Sequence, residues 1–488
     1  MITKVIQIPI TDSSYPFASA VKRCNLEEHG YFEAEYYFEG SSNVYRTCVE
    51  GKIEVKNADC PYVNRMIIRA PKDISAFSGN VALEIINPTS NMEIDRMWIL
   101  THKEIMRNND IYVGFTSKPN TLKLLTSFDQ ERYGCLEWPN PTPDVPFDPL
   151  IESIHPIAKK DINIKYETGL VWDMITDLST LFRDDSNMNP IRGYLPQRLV
   201  LTGWSQSAGY VRRYLNSFDN CETSYYDGYL AAGGVSFMET PVNQYEYILP
   251  GEKGTARVTR CSVPFMSLQT ESENANFGNQ HNKSEDSDEP DFLYRNYEIA
   301  GGSHDTMSCY VDYYKDDPDI DRIASMLIGP LAYSGSHEQG NDYPMEYLFC
   351  AAHHNLFTWI KTGIAPNRCE SIQTNANGEN LRDGFGNSIG GVRTCLLNYP
   401  TAHYCTSDSI GLNQAPFSVN SKIEFSLFGY TRPFSSYLLK ELYTNLDNYR
   451  VLVTDDTKKQ VAKGFVLQAD ADDLVEYAVS KALERGLI

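Results

Sequence analysis

Apolar and polar residues alternate along this chain in two rhythms, and the change between them falls near residue 80. From Tyr31 to Arg69 the period is two, which predicts antiparallel strands with one face on a core. The first nine residues, Met-Ile-Thr-Lys-Val-Ile-Gln-Ile-Pro, read as a further strand punctuated by polar positions. From Asn80 onward, short apolar runs take turns with stretches of helical period. The runs predict strands over Val81 to Ile86, Ile111 to Thr116, Arg198 to Trp204, Gly228 to Ala232, Val263 to Gln269 and Arg295 to Ala300. The intervening stretches predict helices over Asp95 to Arg107, Tyr166 to Phe182 and Ser207 to Phe218, with later ones over Met345 to Thr362, Pro433 to Tyr443 and Asp470 to Arg485. Strands alternating with helices imply right-handed crossovers. The product is a mostly parallel, doubly wound α/β sheet whose ligands gather at the carboxyl ends of the strands.

Three segments break this rhythm, at 233–262, 272–292 and 306–343, and insertions at such an edge form lids or specificity walls. The second holds an acidic run, Ser284 to Asp291, expected to be a solvated loop because it lacks the glycine-turned ligand spacing of a calcium loop. The stretch Asn375 to Gly391, rich in Gly and Asn, reads as irregular. The expected organisation is an N-terminal β-rich extension over 1–75, a core over 76–363 carrying the insertions, and a C-terminal extension over 364–488 packed on it. No internal repeat is evident.

Composition narrows the partners. A chain of 488 residues with 42% hydrophobic content can bury a large core. Its net charge of -21 opposes binding to nucleic-acid phosphates or anionic headgroups. No apolar run approaches the roughly 18 residues of a membrane span, so no membrane insertion is expected. The opening residues read as a strand and not as a signal peptide, so a cytoplasmic location is expected, with secretion left open if a leader has been removed. Eleven cysteines without C-x-x-C spacing fit free buried thiols. In a secreted form, Cys24, Cys48 and Cys60, or Cys395 and Cys405, would be the first pairs to test.

Chemistry concentrates at Arg198 to Gly209, where an apolar strand runs into a turn of small residues with a serine at its apex. A nucleophile elbow needs small neighbours two before and two after the serine, because backbones pass closely there. Gly203 and Ser207 meet that need around Ser205. Ser207 offers a rival register, flanked by Ser205 and Gly209. Ser205 is preferred, since its preceding glycine stands where the sharp turn requires one and Ser207 would push the corner into the helix. A serine nucleophile needs a base, and the base needs an orienting acid, following in the order serine, acid, histidine. After the strand Val263 to Gln269 come Glu271 and Glu273. After Arg295 to Ala300 comes Gly301-Gly302-Ser303-His304-Asp305. His304 is the expected base and Glu273 the expected acid, with Glu271 as the alternative. His353 and His354 fall inside a predicted helix and are expected to pack it. An oxyanion hole would draw on the Gln206 amide and on the loop Asn87-Pro88-Thr89-Ser90. Pro88 has no amide hydrogen, so the second donor is expected from Thr89, Ser90 or the Asn87 side chain.

With these pieces in order, the sequence resembles the α/β-hydrolase superfamily, and Gly-Trp-Ser-Gln-Ser-Ala is similar to the Gly-Tyr-Ser-Gln-Gly-Ala elbow of cutinases. A broader likeness runs through Val81 to Asn87, Arg132-Tyr133-Gly134, the Ser205 elbow, Tyr297 to His304 and Gly386 to Arg393. These segments resemble a family known only as the alpha/beta hydrolase domain family. The resemblance spans nearly the whole chain and implies an α/β-hydrolase fold and a serine hydrolase without naming a substrate. Two departures stand out: Ala208-Gly209 follows the elbow where the family often has Gly-Arg, although Arg212 is kept, and a glutamate stands where the superfamily commonly has aspartate. Glu84 and the Gly386 to Arg393 stretch match the family and are expected to be structural.

The leading expectation is a carboxylic-ester hydrolase acting through an acyl-enzyme on a small-molecule ester. Amidase, peptidase or acyltransferase chemistry could use the same triad, and a catalytically silent ligand-binding protein is the alternative of a different class. No cofactor is expected. A metal site is disfavoured by the lack of H-E-x-x-H or any tight His and carboxylate cluster, and nucleotide use by the lack of a phosphate-binding loop.

Overall fold

A computed structural model describes residues 1–48, 52–147, 163–219, 224–234, 240–246, 257–277, 283–308, 312–314, 317–323, 340–406, 427 and 429–488. Parts of all three predicted insertions lie outside these residues. The main feature is a ten-stranded sheet of β1 (Ile2–Ile8), β2 (Tyr31–Thr47), β3 (Ile53–Pro71), β4 (Asn80–Ile85), β5 (Ile111–Phe115), β6 (Arg198–Trp204), β7 (Gly228–Ala232), β8 (Cys261–Thr270), β9 (Ser287–Glu289) and β10 (Phe292–Ile299). Its order is β1-β2-β3-β5-β4-β6-β7-β8-β10-β9. Strands β5, β4, β6, β7, β8 and β10 run parallel, and β1 to β3 and β9 extend them antiparallel. Every residue of β4, β5 and β7 is buried, which is why those segments read as continuous apolar runs instead of alternating ones.

From β4 the chain steps to β5 on one side, then crosses back to β6 on the other. Right-handed crossovers in opposite directions put the helices on opposite faces and open a crevice between the carboxyl ends of β4 and β6. On one face, α1 (Arg96–Asn108) packs against α5 (Glu346–Thr362). On the other, α2 (Val171–Arg183) meets α3 (Gln206–Ser217) through stacked Trp172 and Tyr210 and a 2.7 Å hydrogen bond between Thr176 and Tyr214. The predicted Tyr166 to Phe182 helix starts later. The Glu167 carboxylate accepts the Gly169 amide at 2.8 Å, and a tight turn over Thr168–Leu170 precedes α2.

The alternation from Tyr31 to Arg69 resolves into one long hairpin, β2 with β3. Met66 lies opposite Phe115 at the carboxyl end of β5, so earlier residues of β3 run beyond the edge where the parallel strands end. Near its tip the hairpin meets part of the first insertion: Asn243 donates to the Tyr45 carbonyl at 2.6 Å, and Glu246 accepts the Thr47 amide at 2.8 Å. Its base is held by buried ion pairs. Arg69 joins Glu33 (2.8 Å) and Asp95 (2.6 Å), Arg132 joins Glu35 (2.6 Å), and Arg65 bridges Glu35 and Glu93.

The acidic run departs from expectation. Ser287–Glu289 is the edge strand β9, and Asp288 is paired with Arg295 (2.5 Å) and Arg368 (2.7 Å), so cross-strand hydrogen bonds and two cations order what the charge density suggested was a loop. Beyond α5, helices α6 (Ser436–Tyr443), α7 (Leu446–Lys463) and α8 (Ala471–Glu484) close the chain. They are anchored on the core by Arg485 on Asp342 (2.9 Å) and by Asn355 on the Gly464 carbonyl (2.8 Å). His353 and His354 on α5 bond to Asp110 and to Glu104, the latter on α1, each at 2.9 Å, in the packing role expected of them. The nine described cysteines are free thiols. No helix among the described residues is long and apolar enough to cross a membrane.

Candidate active site

Between β6 and α3 the backbone turns on a single residue. Ser205 has φ 55° and ψ −115°, a conformation that costs a non-glycine residue about 1–3 kcal/mol and persists only where neighbours hold it. They do: its amide donates to the Ala232 carbonyl at 2.8 Å, and its carbonyl accepts the Ala208 and Gly209 amides at 3.1 and 3.3 Å. A Cβ on Gly203 would lie 2.7 Å from the Ser207 carbonyl oxygen, so the tight turn requires glycine there. Ser207 sits inside the first turn of α3, fully buried, with its hydroxyl on the Ile86 carbonyl at 3.3 Å. The residue at the corner, with a strained backbone and partial exposure, is Ser205.

Two neighbouring parallel strands bring the acid and the histidine together. Thr270 at the end of β8 lies opposite Ile299 at the end of β10, so the segments that follow emerge side by side. The helix α4 (Glu271–Phe277) starts at once. Glu273 Oε1 lies 2.6 Å from His304 Nδ1, and its Oε2 accepts the Thr270 amide. The His304 amide donates to Ser272 Oγ at 3.0 Å, and that hydroxyl donates to the Thr406 carbonyl at 2.7 Å. Gly301, with φ +78°, lets the histidine loop turn against Leu397. Glu271, the alternative acid, points elsewhere: its oxygens accept the Gly301 amide (2.8 Å), Arg382 (2.5 Å) and Thr406 (3.2 Å). The His304 ring rests on Trp204, with centroids 5.0 Å apart, which places it beside the corner. No hydrogen bond joins the Ser205 hydroxyl to His304 in this arrangement.

The expected oxyanion donors are only partly disposed for that task. Gln206 opens α3, so its amide has no intrahelical acceptor and the helix dipole favours negative charge beside it. Asn87 and Thr89 are already engaged. The Thr89 amide donates to Asn87 Oδ1 at 2.9 Å, and Asn87 Nδ2 donates to the Trp204 carbonyl at 2.7 Å. The loop after β4 is thus tied to its own first residue and to the elbow, a competition for donors that residue type alone does not reveal. One Asn87 amide hydrogen remains beyond the bond to Trp204.

Residue pairing around the site adds one contact that the sequence did not single out and gives partners to Glu84, Arg212 and the Gly386 to Arg393 stretch. Arg96, the first residue of α1, forms an ion pair with Asp305 at 2.6 Å, and its guanidinium lies 5.4 Å from the Trp204 ring centroid. Asp305 follows His304 directly, but its partner stands 209 positions away and no sequence period links them. Glu84 accepts the Met97 and Trp98 amides (2.9 and 3.1 Å) and the Tyr112 hydroxyl (2.8 Å), joining β4 to the start of α1. Burial pushes its carboxyl up to about 8 against the pull of those donors. In the Gly386 to Arg393 stretch, Val392 pairs with Ile299 and supports the end of β10. Arg212 is buried on α3 and donates to Ser267 at 3.3 Å, with its pKa lowered by burial. Among the described residues no group of three His, Cys, Asp or Glu side chains is placed to hold a metal ion.

No curated protein sequence matches the chain. Solved structures with a related arrangement include an alpha-beta serine hydrolase homologue from Coxiella burnetii, at 9% identity over 49% of this chain and 84% of that one with a TM-score of 0.26. Others are a thermostable esterase from Pseudomonas putida (11%, 64% and 89%, TM-score 0.30) and a siderophore hydrolase from Aspergillus nidulans (11%, 54% and 74%, TM-score 0.27). Likenesses this low carry no inference about the site. The model of the alpha/beta hydrolase domain family, in contrast, matches residues 5–476, and with the doubly wound sheet and its serine corner the chain belongs to that family.

Proposed function

We propose that the protein is a serine hydrolase acting on carboxylic esters. Ser205 attacks the carbonyl carbon and forms an acyl-enzyme while the alcohol leaves. His304 takes the serine proton and passes it to the leaving alcohol, and Glu273 holds the imidazole in the tautomer with its proton on Nδ1. Water then attacks the acyl carbon as His304 accepts its proton, and His304 returns that proton to Ser205 Oγ as the acyl–oxygen bond breaks and the acid departs. The Gln206 amide faces the developing oxyanion at the N-terminus of α3. The reaction needs no group beyond substrate and water. The observation that carries this reading is the buried Glu273 to His304 contact of 2.6 Å, set beside a serine in strained backbone geometry. In structures without substrate, serine and histidine are commonly looser than in the reacting complex.

The test is labelling with a fluorophosphonate probe, followed by mass spectrometry of the adduct, in the native protein and in Ser205→Ala, Ser207→Ala and His304→Ala. Loss of the adduct in Ser205→Ala and His304→Ala, with Ser207→Ala still labelled, is expected. An adduct lost only in Ser207→Ala would overturn the register, and an unlabelled native protein would favour a ligand-binding role. Comparing matched acyl esters, amides and alcohol acceptors then separates esterase from amidase, peptidase or acyltransferase activity.

A further inference from the structure

The residue before Ser205 carries a large ring that the fold holds in one place. Trp204 ends β6, lies opposite Ala232 of β7, and is 1% exposed. Its carbonyl accepts Asn87 Nδ2 at 2.7 Å, and the amide that follows, that of Ser205, donates to the Ala232 carbonyl at 2.8 Å. The backbone beneath the indole is thus tied to both neighbouring strands. Phe349 on α5 packs on the ring with centroids 5.5 Å apart, and the His304 imidazole packs on it at 5.0 Å with the planes tilted by 43°. Gly233 meets its edge: a Cβ there would lie 2.7 to 2.9 Å from three carbons of the indole. Gly233 is itself held, its amide donating to the Leu268 carbonyl at 2.8 Å, so ring and side chain cannot share that space.

Hydrogen bonds alone leave His304 one freedom. Ser272 Oγ holds its amide at 3.0 Å, and Glu273 holds Nδ1 at 2.6 Å. A single contact at Nδ1 is a pivot, about which the ring can swing and carry Nε2, the atom that takes the serine proton, away from the corner. A rigid apolar surface beside the ring limits that swing, and Trp204 supplies it from the strand that ends on Ser205. Base and nucleophile are then referenced to adjacent residues of one strand. We propose that Trp204 is a positioning residue for His304, and that residue 233 is glycine to leave the indole its place. This inference rests on the reading of Ser205 and His304 as the reacting pair.

Displacing a reacting group by about 1 Å costs about 100-fold in rate, so Trp204→Leu should lower kcat by about tenfold to 100-fold with KM little changed. Trp204→Phe keeps a flat ring and should recover most of that loss. Gly233→Ala pushes on the indole and should lower kcat about tenfold in the native background. In Trp204→Leu the added methyl finds the space vacated, and kcat falls no further. The φ of +60° at residue 233 lowers the thermal midpoint in both backgrounds alike, which separates folding from positioning. A measurement without turnover follows the Cε1–H signals of 13C-labelled histidine by NMR at a single pH, in a Ser205→Ala background, with His304→Gln marking the His304 signal. One sharp line is expected in the parent and in Trp204→Phe, and a displaced, broadened or split line in Trp204→Leu. Where Trp204→Leu does not fold, Trp204→Met takes its place. An unmoved and equally sharp line in that variant overturns the proposal. So does a kcat within about threefold of the native value, or a loss in Gly233→Ala that is the same in both backgrounds. A displaced His304 line in a protein that the fluorophosphonate probe leaves unlabelled supports the contact and removes the esterase reading.

Discussion

Replacing Glu273 with glutamine tests whether the acid works by setting a tautomer, because the two oxygens of this carboxylate have different neighbours. Oε2 accepts a backbone amide, that of Thr270, and Oε1 lies 2.6 Å from His304 Nδ1. A glutamine must turn its NH2 towards one of them. The Thr270 amide can only donate, whereas the imidazole can exchange tautomers, so the amide nitrogen faces His304 and Nδ1 becomes an acceptor. The proton then moves to Nε2, the position that must receive the serine proton. The geometry survives and the chemistry does not. Loss of the same tautomer in a serine triad lowers turnover about 10,000-fold, about 5.5 kcal/mol of barrier. The assay is kcat and KM on p-nitrophenyl acyl esters, with the rate of fluorophosphonate labelling as an independent measure and the thermal midpoint as a check on folding. Both rates should fall by three to four orders of magnitude, with KM and the midpoint nearly unchanged. A variant that keeps activity within tenfold of the native protein would show that Glu273 does not orient the base.

Two further predictions concern the frame that carries the site. Arg69→Met strands Glu33 and Asp95, which the guanidinium reaches at 2.8 and 2.6 Å in a fully buried position, and should cost about 3–5 kcal/mol in urea unfolding; a loss under about 1 kcal/mol would mean that the hairpin base does not depend on this pair. Glu84 predicts a pH dependence. Its folded carboxyl is pushed by burial to about 8 from an ordinary value of 4.5, so between those limits the native state keeps a proton that the unfolded chain has released. Stability should therefore fall as pH rises through this window, by up to about 1.4 kcal/mol per pH unit, and Glu84→Gln should flatten that slope. An unchanged slope in the variant would assign the dependence to other groups.

What the sequence made legible follows the range over which each constraint acts. The elbow is a constraint of five residues: a strained serine needs a small residue two positions away on either side, and the predicted strand Arg198 to Trp204 is the one observed. The hairpin carries a longer signal that its own chemistry blurs. Glu33, Glu35, Arg65 and Arg69 occupy buried positions where period-two patterning assigns polar residues to solvent, and the register shifts between Ser42 and Tyr45 break the alternation. Helix α7 went unpredicted for a similar reason, since Asp456, Thr457 and Gln460 share its buried positions with Tyr449 and Val453, leaving no clear apolar stripe.

Partner choice is the part that no local pattern carries. Two carboxylates follow β8, of which the chain favours Glu273 only by its position beyond the strand, but α4 begins at Glu271, and residues two apart on a helix diverge by about 200°. One then reaches His304 while the other meets Arg382 and the Gly301 amide. The loop after β4 shows the same effect, because Asn87 and Thr89 are suitable donors by type and are engaged with Trp204 and with each other by geometry. The Arg96 and Asp305 pair is its extreme case, two ordinary surface-type residues that become a buried contact only when the sheet brings α1 to the histidine loop. Residue types therefore supply the inventory of a site, and the order of the strands decides which members of that inventory can act on one another.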